Sequence, residues 1–212
     1  VRDLQPVVLM ARTANVLAVR PELPVATLGE LIAYAKRNPG KLSYGSFGNG
    51  TTAHFAGEML KSAAGVFMVH IPYRGQGPAL TDLIGGNIDM MFGNLPDFLP
   101  HIRSGKLKAL GTTYLTRAPL APDIPTVAEQ GFPGFETDSW YGVIAPASMP
   151  RETVERINAA INRALEDPAV RRNLSERGIE SIGGTSMRLG EHIRSEIAKY
   201  AKIVRDSGMQ ID

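Results

Sequence analysis

The sequence predicts an α/β protein built on a mostly parallel sheet. Two observations carry that expectation. Short apolar runs alternate with 3–4-spaced helical patterns at βαβ lengths through the first half of the chain. Glycine, proline and asparagine clusters then punctuate the joins, as at Asn38-Pro39-Gly40 and Gly85-Gly86.

Residues 7–10 and 16–19 read as two short strands on either side of the polar interruption Arg12-Thr13-Ala14-Asn15. Thr27, with Glu30 three residues on, marks the start of a helix through about Arg37. Its apolar face is Leu28, Leu31, Ile32 and Ala35. Residues 42–45 form the next strand, a helix covers about 52–64, and Val66–Ile71 is a strand closed by Pro72-Tyr73-Arg74-Gly75. A helix over about 78–84 leads to the strand Ile88–Phe92. Leu107–Thr112 is a further strand.

Between 113 and 139 four prolines leave room for one short helix, around Val127–Gln130. A strand at 140–145 and helices at 151–165, from Pro168 to near Gly178, and from 186 or 189 to 206 complete the chain. The texture changes near residue 112. The later part has too few strands for a free-standing sheet, so its partner strands are expected elsewhere.

The 23 Lys and Arg balance 21 Asp and Glu, and no basic block is interleaved with aromatics, which gives no support to nucleic-acid binding. The absence of cysteine removes disulfide and thiolate chemistry. No leader-like segment opens the sequence, and no apolar run is long enough to span a bilayer. His54, His70, His101 and His192 fall in no metal-binding spacing, so neither a metal nor a cofactor is expected. Ser46 lies in Gly45-Ser46-Phe47-Gly48, which is not a nucleophile elbow because the second glycine comes one residue early.

The most informative run is Ser43 to His54, with three glycines, two threonines and an asparagine between a strand and a helix. Glycine admits close backbone approach. Thr51 or Thr52 at a helix start leaves N–H groups and a positive dipole end that favour an anion. An ordinary loop-to-helix turn has the same composition, and the residues alone leave both readings open. Asn94, at the end of its strand, suits a ligand outside the carboxyl ends of a parallel sheet, or a turn before Pro96. Thr13-Ala14-Asn15, Ser46–Thr52, Tyr73-Arg74-Gly75 and Gly93-Asn94 are mostly small, neutral hydrogen-bonding segments. They fit a binding cleft better than a catalytic centre, and Trp140-Tyr141 is either a wall of such a cleft or core.

The chain resembles the Bug-type extracytoplasmic solute receptors of tripartite tricarboxylate transport systems. The matching motifs are Pro39–Ser46 running into Gly48–Glu58, His70–Gly75, Pro78–Leu83 and Asp89–Phe92 with Asn94-Leu95-Pro96. Gly105–Leu110, Pro125–Glu129, Trp140-Tyr141-Gly142 and Ala145-Pro146 continue the match in order over nearly the whole chain.

That resemblance implies a type II periplasmic-binding-protein fold: two lobes with parallel-type sheets, a ligand cleft between them, and a periplasmic location. It implies a small carboxylate or related metabolite as ligand, membrane transporter subunits as partners, and no enzymatic activity. Carried over by position, Ser46, Asn49, Gly50, Thr51 and Thr52 are the carboxylate seat, Ala14 and Asn15 line the crossover, and Gly93 and Asn94 face the cleft. Many relatives carry Asp where this chain has Gly93. Relatives also have a leader and a further stretch before the point matching Val1. Residues 1–15 are therefore expected as crossover strand and part of an incomplete first lobe, 16–112 as the second lobe, and 113–212 as the C-terminal part of the first. The alternative is a non-binding, truncated remnant that self-associates or serves as an interaction protein.

Overall fold

The structure, a computed structural model, describes residues 2–209. Its elements are β1 (Leu4–Val19), α1 (Leu28–Arg37), β2 (Ser43–Ser46), α2 (Thr52–Ala64), β3 (Val69–Pro72), α3 (Gln76–Ile84), β4 (Met90–Asn94) and α4 (Leu95–Arg103). There follow β5 (Lys108–Thr112), a 3-10 turn at Ala128–Gln130, β6 (Asp138–Pro146), α5 (Arg151–Glu166), α6 (Pro168–Glu176), β7 (Glu180–Ser181) and α7 (Ser186–Ser207). Two compact units result. The first comprises the residues up to Thr13 and Ser139–Ala201, and the second Ala14–Asp138 with the tail from Lys202.

Local signals explain the helix ends. Thr27 Oγ1 accepts from Glu30 N at 3.2 Å, while the Glu30 carboxylate reaches back to Ala26 N at 2.6 Å. The box therefore closes one residue earlier than the usual pattern. Helix α2 stops at Gly65, whose φ of 62° is the left-handed conformation that glycine adopts without a Cβ penalty. Helix α4 does not show in the sequence, because Pro96 and Pro100 both argue against it. Pro96 occupies the first turn, where no N–H is needed, and Pro100 is tolerated inside.

The second unit holds a sheet in the order β3-β2-β4-β1-β5. Strand β2 runs parallel to β3 and β4, but β1 is antiparallel to both β4 and β5. The sheet is mixed rather than mostly parallel. One of its interior strands, β1, is a single long strand in place of the two short ones expected. The polar run Arg12–Asn15 stays extended because it pairs on both sides of the division: Ala11 and Arg12 with β7, Asn15 onward with β4.

Period-two alternation along β1 divides the second unit's core. Leu17 and Val19 join Leu28, Leu31, Tyr44, Ala56, Leu60 and Phe92 in one cluster. Val16 and Ala18 join Ala79, Leu83, Met91, Phe98 and Leu107 in the other. In the first unit, Val7 and Val8 pack with Ala145 and Val154.

The boundary expected at 112 lies instead between Asp138 and Ser139. Residues 113–138 belong to the second unit through Thr113 N donating to Asn15 O (3.0 Å), a Thr112–Thr126 bridge, and Val127 and Phe135 in its core.

Candidate functional site

Register fixes where the predicted residues fall. Ser46 ends β2 opposite Pro72, the last residue of β3, and Asn94 ends β4 opposite Asn15 of β1. Strand β5, antiparallel to β1, points the same way as β4 and ends at Thr112 opposite Val16. The carboxyl ends of β2, β3, β4 and β5 and the Asn15 end of this part of β1 therefore share one side of the sheet. That is where ligands of open α/β sheets bind.

A continuous line of hydrogen bonds runs along that side. Tyr73 N donates to Ser46 O and Gly75 N to Phe47 O, each at 3.0 Å, tying the loop after β3 to the glycine-rich turn. The next residue, Gln76, accepts from Asn94 N at 2.9 Å through Oε1, and its amide donates to Asp97. Asn15 Nδ2 donates to Asn94 Oδ1 at 3.0 Å. Asn15 N donates to Thr113 Oγ1 at 3.1 Å, and Thr113 Oγ1 donates on to Thr137 O at 2.5 Å. Gln76 and Thr113 escaped the sequence reading. Each forms its bonds with residues distant in the chain, so no local pattern marks them.

The glycine-rich turn is shaped by Gly48 and Gly50, with φ of 139° and 71°. Thr51 is the N-cap of α2, but its side chain makes no capping bond; Oγ1 donates back to Gly48 O at 2.8 Å. The first turn of α2 carries no acidic residue. Ser46 is fully buried, and its hydroxyl lies 3.0 Å from Gly48 O, 3.2 Å from Gly48 N and 2.7 Å from His70 Nε2. Asn49 is exposed, while Gly50, Thr51, Thr52 and Asn94 are half-buried.

Two predicted residues sit in packing roles. Ala14 is buried in the apolar cluster with Val16, Ala79 and Phe98. Gly93 is buried in β4, and a Cβ there would come within 2.0 Å of the Phe98 ring. The space of a side chain at 93 is filled by Phe98.

Beneath the turn, Tyr44 OH donates to the buried Glu58 at 2.5 Å, and Lys61 pairs with the same carboxylate oxygen at 2.7 Å. Burial, then Glu58, push the Tyr44 phenol above its ordinary value. Burial holds the imidazoles of His54 and His70 below theirs, His70 down to about 4. In the loop after β3, Tyr73 OH donates to Asp82 at 2.7 Å and is pushed up to about 12 by burial first and this contact next.

The sequence profile described as "Tripartite tricarboxylate transporter family receptor", TctC, matches residues 1–209. The chain belongs to this family. A relative in Pseudomonas sp. strain P51, the "UPF0065 protein in tcbD-tcbE intergenic region", is 41% identical over 204 residues, which cover 96% of this chain and 61% of the relative. The chain thus spans less than two thirds of that relative's length.

Solved structures agree with this membership. Rpa4515 of R. palustris, solved with adipate, has a TM-score of 0.91 at 36% identity over 97% of this chain and 69% of its own. The periplasmic binding protein BugD gives 0.89 at 31% identity, over 98% and 70%. MatC (Rpa3494) from Rhodopseudomonas palustris, with bound malate, gives 0.87 at 30%, over 95% and 69%. This chain shares the α/β periplasmic-binding-protein fold of these proteins. Among the described residues, no helix is long and apolar enough to cross a membrane.

Proposed function

We propose that this TctC-family chain is the ligand-binding part of an extracytoplasmic solute receptor, which delivers a small carboxylate to the membrane subunits of a tripartite tricarboxylate-type transporter. The observation that carries the reading is the hydrogen-bonded line from the glycine-rich turn through Gln76 and Asn94 to Asn15 and Thr113. It gathers neutral hydrogen-bonding residues, already ordered by one another, at one side of the sheet. The N-terminal end of α2 adds a positive dipole end beside the turn, with no acid in its first turn to oppose an anion. Arg74, exposed in the loop after β3, supplies a cation for long-range attraction. Asn49, Gly50, Thr51, Thr52 and Asn94 are the groups we assign to the ligand, with Asn15 and Ser46 holding them in place.

Binding is favoured over turnover. The Ser46 hydroxyl near His70 is fully buried and engaged with Gly48, so it is not presented to a substrate. The ligands named for Rpa4515 and MatC, adipate and malate, define the first compounds to try.

Isothermal calorimetry of the chain against adipate, malate, succinate and citrate, with neutral amides of the same length as controls, tests the proposal. We expect heat from at least one carboxylate and none from its amide. Equal responses to acid and amide, or silence across the panel, would contradict it.

A further inference from the structure

Two imidazoles lie face to face under the glycine-rich turn. The rings of His54, in the first turn of α2, and His70, on β3, have centroids 3.8 Å apart and planes 11° apart. Each holds a different end of the turn. His54 Nδ1 accepts from Gly50 N at 3.2 Å, which places the proton of the neutral ring on Nε2. His70 Nε2 is 2.7 Å from Ser46 Oγ, the atom that also meets both backbone groups of Gly48.

The arrangement requires an uncharged His54. A proton on Nδ1 would set an N–H against the Gly50 N–H, and the bond would be lost. The surroundings keep that proton away. His54 is buried, and a charge on either ring opposes one on the other at this separation. The charged and titratable neighbours are Tyr44 on β2, Glu58 and Lys61 on α2, and the two histidines. Tyr44 stacks on His70 at 4.8 Å and donates its hydroxyl to Glu58. Glu58 favours the imidazolium forms, but Lys61, paired with Glu58, opposes them.

We propose that the stacked His54–His70 pair positions the ligand turn, and that uptake of a proton by the pair releases the turn and weakens carboxylate binding in acid. The second clause rests on the carboxylate seat proposed above; the first does not. His54 and His70 are positioning residues, acting through Gly50, Ser46 and Gly48.

The test follows the Gly50 and Gly48 amide resonances of the ligand-free protein from about pH 8 to about pH 4, beside adipate affinity by calorimetry. The comparison protein is His54→Asn, whose Oδ1 can take the place of Nδ1 and accept from Gly50 N without titrating. In the wild type we expect the Gly50 amide to titrate together with the His54 ring protons. In His54→Asn the transition should be lost from Gly50. Between about pH 7.5 and about pH 4.5 the wild type should lose severalfold more adipate affinity than His54→Asn. Protonation of adipate itself is common to both and cancels.

A Gly50 amide that ignores the His54 titration in the wild type, or moves identically in His54→Asn, would overturn the proposal. Should His54→Asn fail to fold, the wild-type comparison of ring and amide titrations decides alone. If no carboxylate binds either protein while Gly50 follows His54, the carboxylate seat fails and the positioning role stands.

Discussion

Asn15 Nδ2 donates to Asn94 Oδ1 across 3.0 Å, joining two strands that run in opposite directions. The bond fixes the side chain at the end of β4. Asn94 is also the N-cap residue of α4, yet its side chain makes no capping bond. The cross-strand contact takes its place.

Replacing Asn94 separates positioning from charge. Asn94→Ala removes the acceptor and should lower stability by about 1 kcal/mol in urea unfolding. Asn94→Asp keeps an acceptor for Asn15 and should fold better than Asn94→Ala. Its negative charge should weaken carboxylate binding by roughly tenfold, read by calorimetry. Carboxylate affinity unchanged in Asn94→Asp would remove Asn94 from the ligand site.

Gly93 packs directly against the Phe98 ring. A Cβ at 93 would lie 2.0 Å from the Phe98 ring, so Gly93→Ala should cost roughly 1–3 kcal/mol. Phe98→Leu in the Gly93→Ala background should cost less than Phe98→Leu alone. A double-mutant cycle by chemical denaturation measures that coupling.

Much of the fold was legible where the signal is local. Thr27 and Glu30 announced α1, and the 3–4 spacing of Phe55, Ala56, Met59 and Leu60 gave α2 as observed over Thr52–Ala64. What failed was non-local. The continuity of β1 depends on partners in β7 and β4, and its antiparallel sense on a chain path that no propensity records. Segment 113–138 reads as proline-rich irregular chain, and only the bonds of Thr113 and the burial of Val127 and Phe135 assign it to the second unit. At the site, the glycine-rich turn was visible because its residue types are unusual together. Gln76, Thr113 and the facing of His54 on His70 were not, since each acts through a residue brought close only by the sheet.

Thr51 offers a test of how the turn is held. Its hydroxyl donates to Gly48 O at 2.8 Å instead of capping α2. Thr51→Ser should retain wild-type stability to within a few tenths of a kcal/mol, whereas Thr51→Val should lose about 1 kcal/mol. Thermal melting distinguishes the two. If Thr51→Val matches Thr51→Ser, the hydroxyl contributes nothing to the turn.

Stability should depend on pH through His70. Its folded pKa, held down to about 4 by burial and then by His54, lies below the ordinary value of 6.5. The unfolded chain binds the proton more readily in that interval, so the contribution is complete above pH 6.5 and is lost as pH falls toward about 4. His70→Gln should melt lower than wild type at neutral pH and show a shallower fall across the same window. A parallel fall in both proteins would place the acid sensitivity elsewhere.

The most direct test of the carboxylate seat is an amide-resolved NMR titration of the chain with adipate and malate at neutral pH. The account predicts saturable shifts concentrated at Ser46–Thr52, Gln76, Asn94, Asn15 and Thr113, around the line that Asn15 and Asn94 close. Saturable shifts confined to other residues, or none with any small carboxylate, would contradict it.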